Sequence, residues 1–499
     1  MYIPLLGRLS ILEWPIIIIS FLLTWIEYLI SVITGILPSP IINLCTNTIQ
    51  QIYKFTSNPI DLISSTVTSS SNVQEVKYKY LDSNSHPELT REKYELMTDL
   101  LNSSSIQEMC QLFGYDVENE IVRTDDGYFL TIQRILKNGQ ANKGGRVIYL
   151  HHGLLMNSEI WVTMLDKHSN LPFILYDLGY DVWLGNNRGN KYSQKHLYYK
   201  LNSEKFWDFS IDEFALFDIP NTINYILNTT KAEKLTYIGF SQGTAQAFAS
   251  VSVNPDLNDK IDQIIAISPA TTPHGLYSKF LDLLLKSSPN FVFLLFSRKV
   301  LMPSVILWGK IMYPPLFDTF IDISNYLLFN WKSINISKIQ KLSSYAHLYS
   351  TTSVKTVAHW FQIILSKNFQ MYHDSNSNFS GLNPISYPLQ NIKVPINLLY
   401  GDCDSLVDIN VMKNQLPAKY TKCQVVPNHE HLDNLWGFDV NKVVFNHVLH
   451  YLGHSLPDSI VENSEKTYLK TLDDIESVAE ADAISQDLER HIYPGATRF

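Results

Sequence analysis

Apolar and polar positions change rhythm several times along the chain. Residues 11–37, ILEWPIIIISFLLTWIEYLISVITGIL, are almost continuously apolar and are broken only by Glu13 and Glu27. As a helix this run would be about 40 Å long, more than the ~30 Å hydrocarbon core of a bilayer requires. A buried soluble helix would carry a polar face, and this stretch barely has one. A cleaved signal would need a small-residue site, yet no alanine precedes Ala141. The run therefore reads as a retained membrane anchor within residues 1–55, spanning the bilayer or entering one leaflet. Trp14, Trp25 and Tyr28 suit its interfacial ends.

Residues 56–104 then loosen into Ser, Thr and Asn around SSTVTSSSN, which predicts a tether between membrane and body. From residue 105 short apolar runs alternate with helical periodicity. Two alternating strands flank Asp126-Gly127, a good hairpin turn. RVIYLHHG and YDVWLGN read as buried strands ending at Gly153 and Gly185, and FALFDIPNTINYIL has helical spacing. LTYIGF, TAQAFASVSV and QIIAISPA continue as strand, helix and strand. This alternation predicts an α/β fold, a mostly parallel sheet with crossover helices over 105–270 and 391–455. Between the two parts lies a segment, 271–390, that the sheet does not need. It contains KFLDLLLKSSPNFVFLLFSRKVLMPSVILWGKIMYPPLFDTF and predicts a helical cap that lines an apolar pocket and acts as a lid.

Composition narrows the function without identifying it. The net charge of −9 is uneven, because residues 456–499 form an acidic tail. Nothing is basic enough to track a phosphate backbone, which excludes nucleic acid as a partner. The cysteines Cys45, Cys110, Cys403 and Cys423 have no CxxC spacing and are too sparse for a disulfide framework. No metal-ligand spacing or phosphate-cradling loop occurs, so no metal or cofactor is expected.

The chemistry concentrates where strand-like runs end, the place where open α/β sheets build their sites. YIGFSQGTAQ places Ser241 in a G-x-S-x-G turn between a hydrophobic strand and a helix. That context is a nucleophile elbow: Gly239 and Gly243 let strand and helix crowd together while the turn lifts the hydroxyl. A serine hydroxyl needs a base, and the base needs an orienting acid, here in the chain order Ser, Asp, His. VPINLLYGDCDSLVDI offers Asp404 past a strand end, with Asp402 and Asp408 better suited to a turn and a helix cap. VPNHEHLDNLWG offers His431, with His429 as the neighbour to test against it. An oxyanion needs two preorganised donors; the N–H groups of Gln242, after the serine, and Leu154, after Gly153, are the candidates. Arg188, His347, His359 and Trp360 read as packing, hydrogen-bonding or cap-positioning residues.

With these residues in hand, the chain resembles the acid lipases, the gastric and lysosomal lipases and their fungal relatives, and within them the fungal membrane-anchored sterol ester hydrolases. FGYDVENEIVRTDDGYFLTIQRI, VIYLHHGLLMNSEIWV, FWDFSIDEFALFDIP, HLYSTTSVKTVAHWFQ, YGDCDSLVD and HEHLDNLWG carry the resemblance across residues 105 to 440. It implies the α/β-hydrolase fold, Ser241 as nucleophile, Asp404 and His431 as its partners, and Leu154 and Gln242 as oxyanion donors. It further implies a neutral lipid ester substrate, sterol ester or triacylglycerol, met at an intracellular membrane or lipid-droplet surface. The acid segment reads Gly-Asp-Cys-Asp where the animal enzymes have a Gly-Gly-Lys-Asp type, which leaves the three residues in place.

Overall fold

The computed structural model describes residues 91–278, 291–374 and 384–456, with scattered positions between 22 and 48. The run expected as an anchor and the acidic tail therefore lie almost wholly outside the described residues. Among the described residues no helix is long and apolar enough to cross a membrane. The described positions Leu22, Trp25, Ile26 and Leu29 of that run are exposed.

The hairpin predicted around Asp126-Gly127 is the antiparallel pair β1 (Asp116–Arg123) and β2 (Tyr128–Leu136). It leads into β3 (Val147–His151), β4 (Asp181–Leu184) and the short β5 (Lys195–His196). Then come β6 (Leu235–Phe240) and β7 (Ile261–Ile267), and after the insert β10 (Ile396–Gly401) and β11 (Thr421–Val426). These form one sheet ordered β1-β2-β4-β3-β6-β7-β10-β11, with β5 beside β2. From β4 to β11 every pairing is parallel. Every residue of β3, β4 and β6 is buried, which is why they read as continuous apolar runs: both faces of a parallel sheet are covered. Side chains alternate between two cores. Ile148, Leu150, Ile238 and Phe240 join one cluster, and Val147, Tyr149, Leu235 and Tyr237 join the other.

The insert is helical. It contains Phe291–Phe296, Val305–Ile311, Pro314–Phe329, Lys338–Tyr345 and Val354–Ser366, with a ribbon of β8 (Val300–Leu301) and β9 (Thr352–Ser353). One boundary needs correction. The tether expected over 56–104 does not extend to its end, because Arg91–Asn102 is a helix with Met97 and Leu100 fully buried. Tyr94, Met97 and Leu101 recur at helical spacing, and the helix packs on Lys338–Tyr345 of the cap.

A buried acid joins this helix, the cap and the sheet domain. The Glu159 carboxylate accepts from Lys191 Nζ at 2.6 Å, from His347 Nδ1 at 2.9 Å and from the Tyr192 hydroxyl. The other nitrogen of His347 donates to the Leu100 carbonyl at 2.8 Å. Burial alone would raise the Glu159 pKa, but the Lys191 charge and the His347 hydrogen bond prevail and bring it down to about 2. A carboxyl whose pKa falls on folding contributes stability above its unfolded pKa and loses it as pH drops through the folded value. Glu159→Gln is therefore expected to destabilise the protein by on the order of 3 kcal/mol at pH 7. The deficit should shrink between about pH 4.5 and 2, as read from denaturant midpoints across pH.

Candidate active site

β6 ends at Phe240 and the helix Gln242–Val253 begins two residues later. Ser241 makes the turn alone, at φ 52° and ψ −122°, a region that costs a non-glycine residue about 1–3 kcal/mol. Hydrogen bonds hold it there. Its N–H donates to Ile267 O at 3.1 Å, and its carbonyl accepts from Thr244 N at 2.9 Å and Thr244 Oγ1 at 2.7 Å. The glycines allow the crossing. A Cβ on Gly243 would lie 2.7 Å from the backbone oxygens of both His151 and His152, and one on Gly239 would lie 2.9 Å from Thr244 N. Gly153 admits Ser241 in the same way, since a Cβ there would sit 3.1 Å from the serine Cβ.

Asp404 and His431 come from different strand ends and meet. His431 Nδ1 donates to Asp404 Oδ2 at 2.6 Å, while Asp404 Oδ1 accepts from Leu406 N at 3.0 Å. That bond commits the Nδ1 proton to the carboxylate and leaves Nε2 as the lone-pair nitrogen of the neutral ring. Both side chains are buried. Ser241 reaches the same corner of the fold. Phe240, directly before it, has its ring 5.2 Å from the imidazole. Ser268, directly after the residue that accepts the Ser241 N–H, donates its hydroxyl to the His431 carbonyl at 2.8 Å. Gly401 closes the corner, because a Cβ on it would overlap the His429 carbonyl.

The other candidates separate by their partners. Asp402 accepts from Asn428 N at 2.6 Å, and Asp408 caps the helix Ile409–Gln415, a turn and a cap as their positions implied. His429 donates from Nδ1 to Asn434 Oδ1 at 3.0 Å and from Nε2 to Asp439 Oδ1 at 2.9 Å. The Asn434 amide nitrogen is turned to Ser268, so its oxygen faces the ring and both imidazole nitrogens act as donors. Burial opposes that charged form, but Asp439 and Asp433 prevail and hold the His429 pKa above its ordinary value. A ring so engaged has no lone pair with which to take a proton.

His151 and His152, at the end of β3, are kept neutral. Burial takes His151 down to about 4 against the hydrogen bonds of Asn187 and Gln246, and takes His152 well below its usual range. The next turn passes the serine at Gly153 and is pinned by Ser350 N donating to Leu155 O at 2.6 Å. Gln242 heads its helix, where the first N–H groups have no intrahelical acceptor. Its side chain is held by the cap: Trp360 Nε1 donates to Gln242 Oε1 at 2.7 Å. Arg188 grips Asp126 and Asp218 beneath this corner and lies over the Tyr128 ring at 4.0 Å. His359 donates to Gln370 O at 2.7 Å. Two contacts had no signal in the sequence. Trp331 of the cap stacks on His431, and Glu430 binds the backbone beside that tryptophan across 97 and 98 residues. No periodicity spans such a separation.

An arrangement of this kind can deprotonate a hydroxyl, hold the resulting imidazolium against a carboxylate and collect an oxyanion on helix-terminal N–H groups. Among the described residues no group of three or more His, Cys, Asp or Glu could hold a metal ion.

The chain was compared with known proteins. Residues 146–438 match the model of the alpha/beta hydrolase fold, and residues 106–165 match that of a partial alpha/beta-hydrolase lipase region. A probable lipase of Schizosaccharomyces pombe is 48% identical over 364 residues, covering 72% of this chain and 82% of the relative. The gastric triacylglycerol lipase of Bos taurus is 35% identical over 365 residues, covering 70% and 90%. The lysosomal acid lipase/cholesteryl ester hydrolase of Macaca fascicularis is 32% identical over 371 residues, again 70% and 90%.

The elbow geometry predicts the effect of one methyl group. In Gly243→Ala the new Cβ meets backbone oxygens rather than a mobile side chain, so the helix must move and carry Gln242 with it. Turnover of a soluble short-chain ester should fall roughly 100-fold, with stability lowered by about 1–3 kcal/mol, as measured by steady-state kinetics beside thermal unfolding.

Proposed function

The chain belongs to the acid lipase family of α/β-hydrolases and is a carboxylic ester hydrolase, and on that premise we propose that it is a membrane-attached enzyme that cleaves sterol esters to free sterol and fatty acid through an acyl-enzyme. The observation that carries the mechanism is the pairing of His431 Nδ1 with Asp404 at the corner that Ser241 enters on its strained turn. In this reading His431 Nε2 takes the Ser241 hydroxyl proton as the oxygen attacks the ester carbonyl. Asp404 steadies the imidazolium that forms, and the N–H groups of Leu154 and Gln242 bind the oxyanion. The imidazolium then gives its proton to the leaving sterol oxygen. Water repeats the sequence on the acyl-serine and frees the fatty acid.

Three observations support the substrate class and the site of action. The macaque relative is named a cholesteryl ester hydrolase. The cap over the site is rich in apolar side chains, and the exposed Leu22 and Trp25 fall in the run expected as an anchor. An anchor entering one leaflet would suit the monolayer of a lipid droplet, where sterol esters are stored, with the endoplasmic reticulum and the plasma membrane as the alternatives. A second reading, a triacylglycerol lipase on the same scaffold, is favoured by the gastric relative. Parallel assays on cholesteryl oleate and triolein separate the two, with faster turnover of triolein deciding for the second.

Ser241→Ala and His431→Ala should each lower kcat at least about 1,000-fold while the protein stays folded. A fluorophosphonate probe should label the wild type and not Ser241→Ala. Activity that survives His431→Ala but is lost in His429→Ala would overturn the assignment of the base. Deletion of residues 1–55 should release the enzyme from membranes and preserve hydrolysis of a soluble short-chain ester; fractionation of the truncated protein with membranes would show that another surface anchors it.

A further inference from the structure

The cap is stitched to the chain neighbours of both residues of the His–Asp pair. After the helix Pro314–Phe329 the chain turns at Asn330, φ 58°, and runs past the site to Asn335. Glu430, the neighbour of His431, accepts from Lys332 N with both oxygens at 2.9 Å and from Ser333 N at 2.7 Å. Ser405, the neighbour of Asp404, donates its hydroxyl to the Phe329 carbonyl. Asn335 Nδ2 donates to Asn428 O at 2.7 Å and to Asp433 Oδ2 at 2.9 Å. Between these seams lies Trp331. Its indole is parallel to the His431 imidazole, with centroids 4.9 Å apart and planes 6° apart, and Phe329 backs it at 4.4 Å. Trp331 is 5% exposed and His431 2%.

We propose that Trp331 is a positioning residue of the hydrolytic reaction, a cap tryptophan that fixes the plane of the His431 ring and stabilises its charged form while the proton is in transit. The proposal rests on His431 being the general base. With Nδ1 tied to Asp404, the remaining freedom of the imidazole is rotation out of plane or withdrawal from the serine. An indole against one face and Phe240 near the ring restrict both motions. The indole face also carries the negative lobe of its quadrupole, which attracts a cation far more than a neutral ring. The imidazolium exists only once the serine proton has been taken, so the attraction acts on the transition state and not on substrate binding. Glu430 supplies the rigidity: its clasp on two consecutive N–H groups sets the height of Trp331 above the imidazole.

The test uses the full chain with a soluble p-nitrophenyl short-chain ester, and rates are expressed per active site counted by fluorophosphonate titration, so that misfolded protein does not enter. Trp331→Leu, which keeps bulk and removes the π face, should lower kcat roughly 10-fold with KM changed less than about 2-fold. Trp331→Phe should retain most of the wild-type kcat, and Glu430→Gln should lower kcat in the same sense as Trp331→Leu. Equal losses in Leu and Phe, a loss confined to KM, or an undiminished kcat in Trp331→Leu would each overturn the proposal. His431→Ala, run alongside, tells the two readings apart. If it abolishes turnover while Trp331→Leu does not, only the role of Trp331 fails; if it leaves turnover intact, the base assignment itself has failed.

Discussion

The tight crossing of β6 and the helix Gln242–Val253 governs the rest of this molecule. A strand and a helix joined by one residue approach so closely that Gly243 rests on the backbone oxygens of His151 and His152, and Gly239 rests on Thr244 N. The intervening Ser241 is thereby forced to a positive φ that a longer loop would have avoided. The strain persists because the surroundings over-determine it: β7 accepts the serine N–H, and Thr244 bonds the serine carbonyl twice. The same contact aligns the ends of β3 and β6. That alignment places the turn at Gly153 beside the serine.

The cap is not a loose cover over this corner. Its polar seams with the sheet domain include His347 on Glu159, Trp360 on Gln242, and the Lys332–Ser333 backbone on Glu430. Each seam buries charge or a hydrogen-bond donor, and such groups are costly to leave unpaired once the partner moves. Movement of these cap segments would therefore disturb the groups that hold the histidine and the head of the elbow helix.

Buried histidines illustrate how neighbours assign chemistry to one residue type. His151 and His152 lie among neutral amides and backbone, and burial strips them of charge. His429 faces Asp439 with one nitrogen and an amide oxygen with the other, so both of its nitrogens are engaged within the fold. His431 has a carboxylate on one nitrogen only, and its faces are covered by rings rather than by acceptors. Only Glu430 separates it from His429 in the chain, and their partners differ completely. Two carboxylates and the Tyr128 ring enclose Arg188 as a buried post.

Much of this is legible in the sequence, because it is local. Strand runs such as LTYIGF and VIYLH are apolar throughout since both their faces are covered, and glycines flank Ser241 since a Cβ would not fit. Those constraints act within a few residues, so the α/β order, the elbow and the candidate residues could be read from spacing. The helix Arg91–Asn102 carries only the short periodic signal of Tyr94, Met97 and Leu101, and its burial of Met97 and Leu100 comes with packing on the cap, remote in sequence from it. The distinct partners of His431 and His429, the stacking of Trp331 and the clasp of Glu430 belong to tertiary structure alone. Each depends on which distant carboxylate, amide or ring arrives at hydrogen-bond or stacking distance. That outcome follows from how the cap folds back on the sheet, and neither composition nor periodicity encodes a distance between residues so far apart in the chain.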